Sequence, residues 1–139
     1  MYCWEHQLDY GFVDPHRRLG DFGLVVMDMD STLITIECID EIGGFINKKN
    51  EIAAITSQAM RGEIDYAESL RSRVALLAGL DEEVLEDVYD EKLRLSPGAA
   101  TLVTACKKHG IKVILVSSGF TLFTERLKAR LGLDDTISN

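Results

Sequence analysis

Two kinds of apolar pattern divide this chain. Residues 24–28 form a short continuous apolar run, which is typical of a buried strand in a parallel sheet. Residues 36–93 instead repeat apolar positions every three to four residues, which predicts amphipathic helices. Four such stripes follow one another: Ile39, Ile42 and Ile46; Ile52, Ile55 and Ala59; Tyr66, Leu70, Leu77 and Leu80; and Val84, Leu85, Val88 and Tyr89. The pattern predicts one strand followed by a small bundle of four helices.

The last third of the chain predicts a helix, a strand and a second helix. Ser96-Pro97 is expected to start the first helix, with serine as the N-cap, and Gly110 to end it. Residues 112–117 form a second apolar strand, and the helix after it stops at Gly132. Residues 136–139 have the pattern of another strand. The expected inward-facing positions of the two helices are Ala99, Leu102, Cys106, Phe120, Phe123, Leu127 and Leu131.

This order of elements predicts an α/β fold with a parallel sheet. A strand, a crossover and a second strand in one sheet normally run parallel and right-handed. We expect residues 23–35 and 94–139 to form part of an α/β core and residues 36–93 to form a helical cap inserted into it. Residues 1–22, aromatic but without periodicity, are interpreted as a leader or linker.

Composition narrows the class of protein. A length of 139 residues suits one domain, and the formal net charge of −8 argues against nucleic acid or an anionic membrane as a partner. No apolar run reaches membrane-spanning length, and no signal-peptide pattern is present. The three cysteines have no metal-ligand spacing, which favours reduced thiols in a cytoplasmic protein.

The first candidate for chemistry lies where the first strand ends. Asp28 and Asp30 are two residues apart, so both carboxylates are expected on one side of the chain, at the sheet edge where α/β proteins bind ligands. Two adjacent carboxylates repel each other and an anionic substrate unless a cation or a shared proton intervenes. An ordinary turn is the alternative interpretation of an Asp-x-Asp pair.

The second strand ends at the same edge in Ser117-Ser118-Gly119. These residues precede a helix, so their backbone N–H groups could bind an anion. Alone, this segment is typical of an ordinary loop between a strand and a helix. Beside Asp28 and Asp30, it favours phosphate binding.

Arg73 stands out because it lies in the centre of the third helix's apolar stripe. A charged residue there requires a partner. The partner could be an internal carboxylate, or the side chain could extend to solvent; a substrate carboxylate held by two hydrogen bonds is the functional interpretation. Glu37 falls on a polar helix face with Glu41, and periodicity alone assigns it to solvent.

The string Asp28-Met29-Asp30-Ser31-Thr32-Leu33 resembles the first motif of the haloacid dehalogenase superfamily. Residues 36–42 and 69–74 resemble the phosphoserine phosphatases within that superfamily. The resemblance implies a truncated Rossmann-like parallel sheet with an inserted four-helix cap bundle. It also implies hydrolysis of O-phospho-L-serine, the last step of serine biosynthesis, through an aspartyl-phosphate intermediate.

The same resemblance implies the roles of the site residues. Asp28 would attack phosphorus, and Asp30 would protonate the leaving alkoxide and later activate water. Asp28 and Asp30 would also hold Mg²⁺, while Ser117 and Ser118 would bind the phosphoryl group.

The two ends of the substrate are assigned to the helical cap by the same resemblance. Glu37 would bind the substrate ammonium and Arg73 its carboxylate. The partner that the resemblance implies is a small-molecule phosphomonoester substrate. Met60 and Tyr66 are candidates for the same pocket, or for the core.

The sequence departs from the family pattern in three places. The phosphate-holding lysine and the Gly-Asp-Gly-x-x-Asn-Asp segment are absent, and Ser118 stands where glycine is usual. We therefore expect a fragment of a longer phosphatase, inactive alone and self-associating through its uncovered sheet. The alternatives are a phosphatase or phosphotransferase for another small phosphomonoester, or a non-catalytic phosphate-binding relic.

Overall fold

A computed structural model describes residues 2–139. Three strands form one parallel sheet in the order β1 (Leu24–Met27), β2 (Lys112–Val116) and β3 (Asp135–Ile137). Met27 is paired with Leu115, so the carboxyl ends of β1 and β2 lie level at one edge of the sheet. The predicted α/β fold with a parallel sheet is confirmed.

Residues 2–139 contain seven α-helices. They are α1 (Tyr2–Glu5), α2 (Cys38–Phe45), α3 (Lys49–Met60), α4 (Tyr66–Ala75), α5 (Glu82–Asp87), α6 (Ala99–Lys108) and α7 (Thr121–Leu131). Two π-helical turns, Met29–Leu33 and Val88–Lys92, and a 3₁₀ turn, Leu19–Asp21, complete the structure. Within residues 2–139, no helix combines the length and apolarity needed to cross a membrane.

Helices α2 to α5 occupy the region where the sequence predicts four helices. Ile42, Ile52 and Val88 are fully buried, as the apolar stripes require. Asp65 and Asp81 cap α4 and α5 by accepting hydrogen bonds from the backbone N–H groups of Glu68 (2.8 Å) and Glu83 (3.2 Å). The carboxylates satisfy N–H groups that would otherwise lack a partner at the start of each helix.

The last part of this helical region is attached to the core helix α7. Glu86 forms an ion pair with Arg126, and the Arg126 guanidinium lies 4.9 Å from the centre of the Tyr89 ring. The Tyr89 ring in turn lies 6.4 Å from that of Phe123, which is fully buried. These contacts hold α5 and the turn after it against α7.

The predicted start of α6 is wrong. Gly98 has φ = +85°, a left-handed conformation that L side chains rarely adopt, and the helix begins only at Ala99. Ser96 is therefore not an N-cap; its N–H donates to the Leu33 carbonyl at 3.0 Å and joins α6 to the turn after β1. The expected inward position of Leu102 is also wrong: Val103 and Cys106 are buried, whereas Leu102 is 46% exposed.

β1 is buried on one face only: its apolar run predicts a buried strand, and the uncovered sheet expected of this chain is found at the other face. Val25 and Met27 pack towards the core, but Leu24 is 50% and Val26 55% exposed. In residues 2–139, β1 is an edge strand of the sheet, and its outer face is uncovered. The N-terminal segment does not bury this face: Trp4 and Phe12 are themselves 88% and 96% exposed.

Candidate active site

The turn after β1 presents its two aspartates while its apolar residues enter the core. Met29 and Leu33 are buried, which anchors the π-helical turn at both ends. Asp28 is exposed and Asp30 half-buried, on either side of Met29. Ser31 has φ = +51°, and its N–H donates to the Ile36 carbonyl at 3.1 Å, so the chain folds back tightly after Asp30.

Asp30 connects three segments of the molecule. Its Oδ1 accepts a hydrogen bond of 2.9 Å from the N–H of Cys38, the first residue of α2. Its Oδ2 lies 3.5 Å from the Ser117 hydroxyl, the outer limit of a hydrogen bond, at the end of β2. The parallel pairing of β1 and β2 thus brings together residues 87 positions apart, as the topology predicts.

Asp28 is held much more loosely than Asp30. Its Oδ2 lies 3.5 Å from the Thr32 hydroxyl, and the side chain is open to solvent. An exposed carboxylate with one weak contact is available to a ligand or a cation. The two aspartates therefore differ in environment, one free at the strand end and one fixed by neighbours.

The loop after β2 packs closely against Asp30. Ser117 is 8% exposed, and its hydroxyl accepts a hydrogen bond of 2.9 Å from the Gly119 N–H. A side chain at Gly119 would place its Cβ 3.3 Å from Asp30 Oδ2, 3.1 Å from Ser117 Oγ and 2.8 Å from Met29 Cε. With glycine here, the loop lies this close to the aspartate without displacing Met29, Ser117 or Asp30. Ser118, in contrast, is exposed.

A cavity of about 240 Å³ opens between this loop and helices α2 and α4. Four of the predicted site residues line it: Asp30, Glu37, Arg73 and Ser118. The other lining residues are Cys38, Ile39, Leu70, Val74, Gly119, Phe120 and Asn139. Asp28 and Ser117 are outside this lining; Asp28 lies on the turn beside it and Ser117 contacts Asp30.

The two predicted substrate-binding residues of the helical region face the same cavity. Glu37 is the N-cap of α2, and its Oε1 accepts a hydrogen bond of 2.7 Å from the Ser31 hydroxyl. Arg73 is half-buried on α4, with its Nε donating to the Ser69 carbonyl at 3.4 Å. A carboxylate and a guanidinium therefore line one small cavity, as recognition of a zwitterion requires. The periodicity argument that assigned Glu37 to a solvated helix face missed its position before the first turn.

Burial shapes the protonation of two neighbouring groups. Burial raises the pKa of the Cys38 thiol far above its ordinary value, and the nearby Asp30 carboxylate raises it further. The thiol is thus neutral and unreactive. Burial also raises the pKa of Asp40, against the opposing effect of Lys49 and Arg73.

The chain is similar to proteins of a known family. The profile described as "haloacid dehalogenase-like hydrolase" matches residues 25–139. The chain belongs to this family. A phosphoserine phosphatase of Albidiferax ferrireducens is 58% identical over 130 residues, which cover 93% of this chain and 54% of that protein. The chain therefore spans about half the length of this curated relative.

Solved structures of the haloacid dehalogenase-like fold are similar to this chain in both fold and sequence. The unliganded structure of a probable phosphoserine phosphatase from Vibrio cholerae has a TM-score of 0.78 at 42% identity, covering 99% of this chain and 42% of that one. A structure described as the phospho-aspartyl intermediate analogue of phosphoserine phosphatase has a TM-score of 0.77 at 35% identity, covering 84% and 56%. The inserted helices and the sheet thus have the haloacid dehalogenase-like arrangement.

Some cavity residues of this family member carry little sequence signal. Gly119 belongs to the segment that the sequence marked for anion binding, although its close approach to Asp30 was not predicted. Cys38 contributes a backbone N–H, which any residue but proline supplies, so no residue type marks it. Met60 and Tyr66, candidates for the pocket or the core, are 85% and 57% exposed and line neither.

The donor set at the strand end fits a hard divalent cation only in part. Among residues 2–139, no group of three or more His, Cys, Asp or Glu side chains could hold a metal ion. Mg²⁺, however, commonly binds proteins through one or two oxygen ligands and completes its shell with water and substrate phosphate. The exposed, weakly engaged carboxylate of Asp28 suits that mode.

Proposed function

We propose that this chain is part of a phosphatase that hydrolyses O-phospho-L-serine through an aspartyl-phosphate on Asp28. The observation that carries the proposal is the single cavity lined by Asp30, Glu37 and Arg73, next to Asp28. Its opposite charges match a substrate that has a phosphate ester, an ammonium and a carboxylate. The high identity to a protein named phosphoserine phosphatase supports the same substrate.

The chemistry divides between the two aspartates. Asp28, exposed at the end of β1, attacks phosphorus, and the bond from phosphorus to the serine oxygen breaks. Asp30 donates its proton to the leaving oxygen and then removes one from the water that hydrolyses the aspartyl-phosphate. The contacts from Cys38 N–H and Ser117 hold Asp30 in place for both steps. A solved relative described as a phospho-aspartyl intermediate analogue supports this route.

The substrate's phosphate and its amino-acid part contact opposite walls of the cavity. Ser117 and Ser118 bind the phosphoryl oxygens at the carboxyl end of β2, where the helix α7 begins. Glu37 accepts hydrogen bonds from the ammonium, and Arg73 donates to the carboxylate. Leu70, Val74 and Phe120 form apolar walls that exclude water and strengthen these charge contacts.

Mg²⁺ is part of this proposal. The Asp28 carboxylate and the Asp30 backbone carbonyl would hold it, because the Asp30 side chain is already engaged by Cys38 and Ser117. When bound, it offsets the negative charge of the phosphate and of Asp28, which otherwise repel each other.

The organisation of the chain supports the same function. We infer that residues 36–93 act as a cap over a core of residues 23–35 and 94–139, with residues 1–22 as leader or linker. We also place the protein in the cytoplasm, since Cys3, Cys38 and Cys106 are all free thiols and serine synthesis uses a soluble substrate. Neither nucleic acid nor membrane is proposed as a partner.

Binding measurements test the substrate assignment directly. Phosphoserine, phosphoethanolamine and inorganic phosphate are titrated into the 139-residue chain, with Mg²⁺ present, and followed by amide NMR. Phosphoethanolamine lacks the carboxylate, so the proposal expects phosphoserine to bind most tightly and to shift residues on α2 and α4. Equal affinity for all three would indicate a general phosphate site, as expected of the non-catalytic phosphate-binding relic, and no binding would contradict the proposed site.

A further inference from the structure

Asn139 makes an unusual number of contacts with the loop after β2. Its backbone N–H donates to the Gly119 carbonyl at 3.2 Å, and its side-chain Nδ2 donates to the Ser118 carbonyl at 3.0 Å. Its own carbonyl accepts hydrogen bonds from the Thr121 N–H at 2.9 Å and the Thr121 hydroxyl at 2.6 Å. Asn139, which follows β3, thus forms hydrogen bonds with three residues between β2 and the start of α7: Ser118, Gly119 and Thr121.

The contact with Ser118 fixes one end of a peptide group whose other end is bound by Ser117. In a planar trans peptide, the C=O of Ser118 and the N–H of Gly119 point in opposite directions. Asn139 Nδ2 holds the carbonyl on one side, and Ser117 Oγ accepts the N–H at 2.9 Å on the other. If this peptide rotated, the Ser118 carbonyl oxygen would replace the N–H beside the Ser117 hydroxyl, which itself lies 3.5 Å from Asp30 Oδ2.

From this arrangement we infer that Asn139 is a positioning residue for phosphate recognition: its side-chain amide orients the Ser118–Gly119 peptide so that the Gly119 N–H donates to Ser117 Oγ and fixes the hydroxyl proposed to bind the phosphate. The inference rests on the proposed function, because it assumes that an anion binds at this loop. Asn139 also lines the cavity, so its amide lies at the site and not on a remote surface. No other role in the proposed chemistry is assigned to it.

The backbone contacts of Asn139 survive substitution, so the side-chain contact can be tested alone. Asn139→Leu keeps nearly the same shape but removes the donor, and Asn139→Ala removes the side chain. Ser138→Ala is the matched control, because Ser138 is adjacent in the chain and its hydroxyl contacts those of Thr124 (2.8 Å) and Thr121 (3.4 Å) but neither Ser118 nor Gly119. It removes two hydrogen bonds from the same strand end.

Two NMR measurements on the 139-residue chain decide the inference. Without ligand, both Asn139 variants should raise the solvent-exchange rate of the Gly119 amide by about 3- to 10-fold, the value of one neutral hydrogen bond. In a titration with inorganic phosphate, the dissociation constant should rise by a similar factor of about 3 to 10. Ser138→Ala should leave both quantities near those of the parent.

The outcomes separate this inference from the proposed function. Unchanged exchange at Gly119 in both Asn139 variants, or an equal change in Ser138→Ala, overturns the positioning role. The parent chain could show no response to phosphate while both Asn139 variants still raise the solvent-exchange rate of the Gly119 amide. In that case the proposed function fails and the orientation of the peptide by Asn139 stands.

Discussion

The N–H of Cys38 donates a hydrogen bond of 2.9 Å to Asp30 Oδ1. Cys38 is the first residue of α2, so the proposed acid and base of the core is held by the first helix of the proposed cap. A movement of α2 would therefore change the position of Asp30.

The roles of the aspartates predict the effect of a conservative substitution at the nucleophile. A chimaera that joins this chain to the unmatched half of the Albidiferax ferrireducens relative supplies the length that this chain lacks. In that chimaera, Asp28→Asn should reduce phosphoserine turnover to below about one per cent of the parent value, because an amide cannot form an acyl phosphate. The circular dichroism spectrum should not change, since Asp28 is exposed. Substantial residual turnover would remove Asp28 from the chemistry.

The position of Arg73 in the cavity predicts a loss that depends on the substrate. In the chimaera, Arg73→Ala should lower kcat/KM for phosphoserine by about 30-fold, equivalent to about 2 kcal/mol for a lost charged contact. Phosphoethanolamine, which has no carboxylate, should be affected little. Arg71→Ala is the matched control, because Arg71 lies on the same helix but is exposed. An equal drop on both substrates would make Arg73 a structural residue.

The close approach of Gly119 to Asp30 predicts that an added methyl group is harmful. Gly119→Ala should destabilise the chain by about 1–3 kcal/mol through overpacking against the buried Met29 and should displace Asp30. Gly23→Ala is the control, since a Cβ there meets nothing within 4 Å. Urea unfolding of the two variants measures the difference. Equal free energies of unfolding would show that the loop relaxes freely away from Asp30.

The uncovered face of β1 predicts self-association of the 139-residue chain. Leu24 and Val26 expose apolar side chains on an edge strand, which favours pairing with another copy. Val26→Lys should shift the chain towards monomer in sedimentation velocity experiments at several concentrations. Val13→Lys, at a residue 79% exposed in the N-terminal segment, should not. A parent chain that is monomeric at all concentrations would contradict this prediction.

The spacing of apolar residues and the order of the elements were enough to predict the sheet edge at which Asp30 and Ser117 lie together. Parallel pairing follows from the order of elements, and it places both strand ends together whatever the loops do. Local backbone geometry was harder to predict. Ser96-Pro97 has the composition of a helix start, but Gly98 is left-handed and the helix begins at Ala99. Sequence composition does not show that the backbone leaves the helical conformation at Gly98.

The residues of the cavity were also only partly predictable from the sequence. Arg73 was found because a charge in an apolar stripe is anomalous, whereas Glu37 looked solvated by periodicity and was found only through the family resemblance. Cys38 and Asn139 act through a backbone N–H and through hydrogen bonds to a loop distant in sequence. Such contacts depend on tertiary structure, so no local sequence pattern predicts them. The apolar run of β1 likewise indicated a buried strand, although Leu24 and Val26 are uncovered in residues 2–139.

The site of covalent modification tests the central claim most directly. The chimaera is mixed with phosphoserine, quenched within a turnover and reduced with borohydride, which converts an aspartyl-phosphate into homoserine. Peptide mass spectrometry then identifies the modified residue. The account predicts homoserine at position 28 only, and none in Asp28→Asn. Homoserine at position 30, or turnover of phosphoserine with no trapped aspartyl-phosphate, would contradict it.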